Sequence, residues 1–257
     1  MAELNLFSLE GKKGFITGAA QGIGKCLAEA FANFGADVAI VDMNYDKASQ
    51  TAEAIAEATG RKVVAYQCNV TVPESVDAMM EAYLKDFGTI DFAVNNAGIF
   101  TGDDAMSISP KDFKSVIEVD LNGVFFTAQA AAKAMKAQGT GGSIVSTASM
   151  SAHIINVPQT IANYCAAKAG VIQLSKGLAV EWAKYGIRVN TVSPGYMKTE
   201  LIATMSDMLP VWEEKVPEGS RLGVPEDLIG AYVYFVSDAS KYATGADLIV
   251  DGGYTIL

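Results

Sequence analysis

Tyr164 and Lys168 stand four positions apart in NYCAAKAG (163–170), among small residues. Residues at i and i+4 are neighbours on a helix surface, so a helix here sets a phenol beside an ammonium. A free tyrosine, with a pKa near ~10, is a poor acid or base at neutral pH. A nearby cation favours the phenolate and lowers that value. An exposed lysine beside a half-buried tyrosine is the commoner outcome of any Tyr-x-x-x-Lys, so the pair gains meaning only from the rest of the chain. His153 is the single histidine, which argues against a Ser-His-Asp triad or a multi-histidine metal site; in its polar loop it reads as surface or pocket-rim decoration. Cys26, Cys68 and Cys165 form neither a C-x-x-C nor a zinc-spaced cluster. No metal is therefore expected, and scattered free thiols fit a reducing cytoplasm.

A second chemical signal lies near the start. TGAAQGIG (17–24) separates a β-rich run from a helical one. Gly18, Gly22 and Gly24 permit a tight turn and a close backbone approach, and the following helix N-terminus offers free N–H groups to a pyrophosphate. Gly18, Gln21, Gly22, Ile23 and Gly24 are thus candidate contacts to a dinucleotide. The spacing is G-x-x-x-G-x-G rather than G-x-G-x-x-G. Asp42 follows Gly24 at about the ~20-residue distance expected of an acid that holds an adenosine ribose. Its carboxylate repels a 2′-phosphate, and Met43 and Asn44 supply no cation, so NAD is expected rather than NADP.

The elements that must position these residues alternate. Strands are predicted at 12–17, 37–43, 61–70, 90–98, 141–149, 187–195 and 246–253. Helices are predicted at 22–35, 46–59, from Pro73 to Gly88, at about 110–137 and 160–184, and over PEDLIGAYVYFVSD near the end. Apolar residues Ile23, Leu27, Phe31 and Phe34 recur at helical spacing, whereas DVAIVDM is the short apolar run of a strand buried on both faces. Right-handed βαβ units then give an α/β fold, a single doubly wound parallel sheet of seven strands with central order 3-2-1-4-5-6 and helices on both faces. The ligand crevice should lie beyond the carboxyl ends of strands one and four.

The 257 residues suit one such domain, and half are hydrophobic. The net charge of −10 repels phosphate backbones, so no nucleic acid partner is expected. MAELNLFSLEGKK lacks the apolar segment of a signal peptide, and the longest apolar run, LIGAYVYFV (228–236), is about half a membrane span. A cytoplasmic protein without membrane attachment is the expectation.

TGAAQGIG, NNAG (95–98), a serine after strand five, Tyr164-x-x-x-Lys168 and SPGYMKT (193–199) occur in one order. Together, from Leu9 to Gly253, they resemble the short-chain dehydrogenase/reductase family, with its Rossmann-type domain. The resemblance implies that Tyr164 is the general acid/base, that Lys168 lowers its pKa and binds the nicotinamide ribose, and that Ser149 orients the reacting carbonyl or alcohol. It implies that Asn96 and Gly98 line the cofactor path, that Asn69 and Val70 contact adenine, and that Met197 and Thr199 hold the carboxamide. In VDLNGVFF, Asp120 occupies a slot where the family often has asparagine, and Asn122 lies two residues on; either is a candidate for the proton relay. The family is commonly tetrameric, so a homotetramer is expected, with LIGAYVYFV and GGYTIL as candidate contacts.

ASMSAHIINVPQ (148–159) runs from Ser149 toward Tyr164 and should wall the substrate pocket. Ser151, Asn156 and Gln159 make it polar, and buried polar groups need partners. The stretch resembles polyol dehydrogenase and ketose reductase members of the family. The expected reaction is hydride transfer between NAD(H) and a secondary alcohol or ketone, most simply a polyol/ketose pair. Less polar ketones (steroid, acetoin or acyl-type) are the alternative substrates, and a nucleotide-sensing scaffold is the alternative function. Lys198 and Arg221 are available for a substrate phosphate. Residues 196–220, rich in Met and Leu, are expected to form a lid or an interface helix.

Overall fold

The computed structural model describes residues 5–102, 104–200 and 208–257. Among them seven strands form one parallel sheet: β1 (Lys13–Thr17), β2 (Asp37–Asp42), β3 (Val63–Gln67), β4 (Phe92–Asn95), β5 (Gly142–Thr147), β6 (Ile187–Pro194) and β7 (Asp247–Val250). Their order is β3-β2-β1-β4-β5-β6-β7, as the alternation predicts, with β7 added at the far edge. Successive strand residues point to opposite faces, and both faces are apolar. Ile16, Val38, Ile40 and Val145 belong to one core, with helices α1 (Gly22–Asn33) and α2 (Tyr45–Thr59) on that side. Phe15, Ala39, Val41 and Ile144 belong to the other, under α3 (Pro73–Phe87), α5 (Gly123–Gln138) and α6 (Ala162–Trp182). Each fully buried Phe or Ile contributes roughly 1.5–3 kcal/mol.

Several strands stop earlier than their apolar patterns suggest, and each early stop places a loop at the crevice. β4 ends at Asn95 because Asn96 and Ala97 turn their N–H groups onto the Thr17 hydroxyl, both at 3.0 Å, rather than onto a strand. β3 ends at Gln67, leaving Asn69 and Val70 in a loop. β5 ends at Thr147; Ser149 lies beyond it, in extended backbone, and caps the short 3₁₀ turn Met150–Ala152.

The long helix expected at 110–137 is interrupted. α4 (Pro110–Ile117) runs into a wide π-type turn, Glu118–Asn122, before α5 begins. Such turns frequently occur at functional sites, and this one carries Asp120. The helix predicted over PEDLIGAYVYFVSD is a 3₁₀ turn, Pro225–Leu228, followed by α8 (Ile229–Val236). α8 packs inside the molecule: Tyr232, Val233, Phe235 and Val236 are at most 2 % exposed. LIGAYVYFV is thus core rather than the expected subunit contact, whereas Ile256 and Leu257 of GGYTIL are exposed. Of the expected lid, residues 201–207 lie outside the described residues. The described remainder includes α7 (Leu209–Glu214), anchored by a fully buried Trp212. No described helix is long and apolar enough to cross a membrane.

Candidate active site

The glycine turn joins β1 to α1 with Gly18 and Gly22 at φ +62° and +55°. A Cβ on Gly18 would fall 2.8 Å from the Ala97 Cα, and one on Gly24 would fall 2.4 Å from the Gly18 carbonyl oxygen. Asn96 holds the turn by donating its amide to the Thr17 and Gly18 carbonyls at 3.1 and 3.2 Å. No side chain caps the N-terminus of α1, and its first turn carries no acid. These uncapped N–H groups open onto a cleft of about 430 Å³, ready for an anion. Gly18, Gln21, Gly22, Ile23, Asp42, Asn69, Val70, Asn96, Gly98 and Thr199 all line it. Gly24 sits behind the turn and Met197 in the adjoining cavity. Asp42 is fixed at the end of β2 by accepting the Ala20 and Asn44 N–H groups at 3.1 and 3.0 Å. Among the described lining residues there is no Lys or Arg. Lys47, the nearby cation, is held outside by Gln21 and by Glu200 at 3.2 Å. A nicotinamide dinucleotide fits this chemistry: a glycine cradle, a free helix terminus and a carboxylate that could accept from ribose hydroxyls in one groove.

At the inner end of the groove, α6 presents Tyr164 and Lys168. The Lys168 Nζ lies 5.5 Å from the Tyr164 ring centroid and donates to the Thr147 carbonyl at 3.0 Å. The π-type turn brings Asp120 to the same ammonium at 3.1 Å, with both side chains almost fully buried. The other Asp120 oxygen accepts the Ile99 N–H at 2.9 Å. Gly98 makes room, since a Cβ there would sit 2.9 Å from the Asp120 Oδ2.

The electrostatics correct the expectation of a phenol made simply more acidic. Burial is the largest influence on Tyr164 and pushes its pKa up; Lys168 pulls it down, Asp120 pushes it up again and Ser149 lowers it by hydrogen bonding, with a net rise. Burial works to lower the Lys168 pKa, but Asp120 and Tyr164 outweigh it and the ammonium is held charged. The carboxylate thus offsets part of the positive field that the lysine supplies.

Ser149, Ser151, Asn156 and Tyr164 all line a second cavity, of about 140 Å³, continuous with Thr199 and Ile23 of the groove. The Ser149 hydroxyl donates to Ser151 at 3.2 Å. Tyr196 also reaches the cavity, a residue that sequence reasoning passed over inside SPGYMKT. Its ring stacks on Trp212 with centroids 4.1 Å apart and meets the edge of Tyr254 at 5.4 Å. A lone tryptophan in the otherwise acidic VWEEK stretch was the available signal for such an anchor.

Other candidates are not brought to the site. Asn122 donates to Glu118 on the exposed side of the helix, at 3.0 Å, so of the two relay candidates only Asp120 faces Lys168. Lys198 pairs with Glu213, and Arg221 with Asp227 and Glu218; neither lines the second cavity. His153 is exposed, as expected of a surface residue, and lines neither cavity. It meets Asp247 at 2.8 Å, and Ser193 lies 3.5 Å away. This is no nucleophilic triad, because serine and aspartate approach the same ring nitrogen and Ser193 donates to the aspartate. Among the described residues, no group of three His, Cys, Asp or Glu is placed to hold a metal ion.

Comparison with known proteins agrees with this geometry. A family model described as "Enoyl-(Acyl carrier protein) reductase" matches residues 18–255. The sorbose reductase SOU1 of Candida albicans is 46 % identical over 98 % of this chain and 90 % of its own length. A probable NADP-dependent mannitol dehydrogenase of Yarrowia lipolytica is also 46 % identical, over 96 % of this chain and 89 % of its own. Among solved structures, a short-chain type dehydrogenase/reductase from Mycobacterium marinum superimposes with a TM-score of 0.96 at 47 % identity, over 99 % of both chains. With its parallel sheet, its glycine turn and the convergence of Ser149, Tyr164 and Lys168, the chain belongs to the short-chain dehydrogenase/reductase family.

Proposed function

We propose that the protein is an NAD-dependent polyol dehydrogenase/ketose reductase, interconverting a secondary alcohol of a sugar alcohol with the corresponding ketone. The observation that carries this is the junction of the two cavities. The dinucleotide groove and the cavity lined by Tyr164, Ser149 and a polar wall share Ile23 and Thr199, so a carbinol carbon and its oxygen can be held beside a bound cofactor. The wall carries Ser149, Ser151 and Asn156, polar groups that suit a hydroxylated substrate better than an apolar ketone. The relatives named for sorbose and mannitol support the same substrate class.

The groove residues Gly18, Gln21, Gly22, Ile23, Asn69, Val70, Asn96, Gly98 and Thr199, with Met197 beside them, would hold the cofactor, and Asp42 its adenosine ribose. A bound nicotinamide supplies the hydride chemistry. The chain supplies the proton and the alignment. Ser149 donates a hydrogen bond to the substrate oxygen and fixes it beside the Tyr164 hydroxyl. In reduction the phenol gives its proton to that oxygen; in oxidation the phenolate removes one. Lys168 stabilises the phenolate, and Asp120, through Lys168, sets how strongly. NAD is favoured because the Asp42 carboxylate faces the groove and no described lining residue is cationic. We retain the homotetramer as part of the proposal, supported by the exposed Ile256 and Leu257; light scattering checks it.

Tyr164→Phe tests the core of the reading. Proton transfer by a positioned group is worth about 10²–10⁴-fold, so turnover of polyols should fall by at least that, while NAD binding followed by fluorescence is unchanged. Full activity in that variant overturns the assignment.

A further inference from the structure

α8 buries Ala231, Tyr232, Val233, Phe235 and Val236, and among these Tyr232 alone carries a polar side-chain group. A buried tyrosine hydroxyl needs a partner. This one meets the Thr147 hydroxyl at 2.7 Å, across 85 residues of sequence. Thr147 ends β5. Its carbonyl accepts from Lys168 at 3.0 Å, and its hydroxyl donates to the Asn96 Oδ1 at 3.3 Å. Asn96 donates its own amide hydrogens to the Thr17 and Gly18 carbonyls. A phenol in the core is thus linked, through two side chains, to the glycine turn.

Counting protons fixes the direction of this chain. Each hydroxyl has one proton. The Asn96 NH₂ faces two carbonyls, so its Oδ1 faces Thr147 and accepts the threonine proton. Tyr232 is therefore the donor to Thr147. The amide is closely packed, since a Cβ on Gly24 would fall 2.7 Å from its Nδ2. What it could still do is turn over. Reversed, it would set its oxygen against the Thr17 and Gly18 carbonyl oxygens and loosen the turn. The Thr147 oxygen would then have to accept from the NH₂, although Tyr232 already donates to it, and the Thr147 proton would lose its acceptor.

We propose that Tyr232 is a positioning residue for the dinucleotide. By donating to Thr147 it turns that hydroxyl toward Asn96, which keeps the amide facing the glycine turn and the turn in the form that binds. Tyr232 lines neither cavity, so it acts through Thr147 and Asn96. The Thr147 main chain is held by its pairing with Val192 of β6 and by Lys168. The influence of Tyr232 therefore runs along the threonine side chain to the cofactor turn, and leaves the ammonium where it is. This rests on the reading of the groove as a dinucleotide site.

The test is NADH affinity of the full chain, followed by fluorescence below the melting transition, beside KM for a polyol and the melting temperature. An apparent Kd rises as the binding-competent fraction falls. Tyr232→Phe should raise Kd for NADH about fivefold and leave KM for the polyol within about twofold. Thr147→Val removes the linking hydroxyl and should raise Kd about tenfold, whereas Thr147→Ser keeps it and should stay within about twofold. The double variant Tyr232→Phe/Thr147→Val should bind as Thr147→Val does, because the phenol acts through the threonine. A lower melting temperature with unchanged Kd in folded Tyr232→Phe would make the hydroxyl merely structural and overturn the proposal. Effects that multiply in the double variant overturn it as well. If Tyr232→Phe does not fold, equal Kd values in Thr147→Val and Thr147→Ser overturn it. A wild type that binds neither NADH nor NADPH overturns the dinucleotide reading itself.

Discussion

The two halves of the crevice are built by different means. The dinucleotide groove is made mostly of backbone: a glycine turn, an uncapped helix end and loops that leave the sheet at Thr17, Asp42 and Asn95. Its few working side chains, Asp42 and Asn96, are tied to main-chain groups nearby. The substrate cavity is made of side chains brought from far apart. Asn156 and Gln159 come from the loop after β5, Tyr196 from the end of β6, Trp212 from α7 and Tyr254 from the C-terminal turn. A ligand common to many enzymes can be held by main chain, which every residue carries; a particular substrate needs particular side chains. Damage to one half should therefore leave the other working.

Trp212→Ala is the harshest way to break that separation. Removing a fully buried tryptophan costs about 3–5 kcal/mol, and Tyr196 loses the surface it stacks on. The melting temperature should drop, and KM for polyols should rise at least tenfold. NAD affinity, read by fluorescence below the transition, should stay within about twofold. Equal loss of both affinities would show that the halves are one structural unit.

This division also explains what could be read from the chain. Strand order, the glycine turn, Asp42, Tyr164 and Lys168 are legible because each depends on local spacing: alternation of apolar runs, a turn between strand and helix, four positions along one helix. Strand ends were less so. The apolar pattern of IDFAVNNAG continues past Asn95, and only the pairing of the Asn96 and Ala97 N–H groups with Thr17 ends the strand. The widened turn at Glu118–Asn122 is closed by Gly123, whose N–H reaches the Glu118 carbonyl, and one glycine in an otherwise helical pattern does not announce a π-type turn. Without that break the choice between Asp120 and Asn122 could not be made, because the turn decides which of them faces Lys168. Tyr196 was missed for the reason that defines its half of the crevice: its partners lie 37 and 40 residues before it and on the far side of the insertion.

Asp120→Asn sharpens the comparison at the seam between the halves. The amide can still accept from Ile99, but the charged contact with Lys168 is lost, at about 1.5–3 kcal/mol. The effect on chemistry has a definite sign. Burial and the Asp120 carboxylate both raise the Tyr164 pKa, and Lys168 lowers it. Removing the carboxylate takes away one raising influence and unmasks the ammonium, so the phenolate forms at lower pH. Alcohol oxidation, which needs the phenolate, should switch on at lower pH than in the wild type. Ketone reduction, which needs the phenol, should switch off at lower pH. Profiles of kcat/KM in the two directions, with ¹³Cζ-tyrosine NMR of the resting enzyme referenced to Tyr164→Phe, measure the shift. A purely structural role for Asp120 would lower activity at every pH without moving either midpoint.

Asp42→Asn should have the smallest effect, confined to the backbone-built half. The asparagine oxygen can still accept one of the N–H groups from Ala20 or Asn44 that now fix the carboxylate, so the turn and the fold should hold. What changes is charge. In the proposed NAD site the carboxylate would hold free ribose hydroxyls by strong charge-assisted bonds and repel a 2′-phosphate; the amide would do the first less well and the second not at all. The preference for NAD over NADP should fall about tenfold, or about 1.4 kcal/mol, with the polyol preferences unaltered. Because Lys47 is already engaged by Gln21 and Glu200, no ready cation waits to bind the extra phosphate, so the preference should narrow rather than invert. Full inversion would mean that Lys47 leaves Glu200 for the phosphate, and that a side chain from outside the groove, not its backbone frame, governs which dinucleotide it takes.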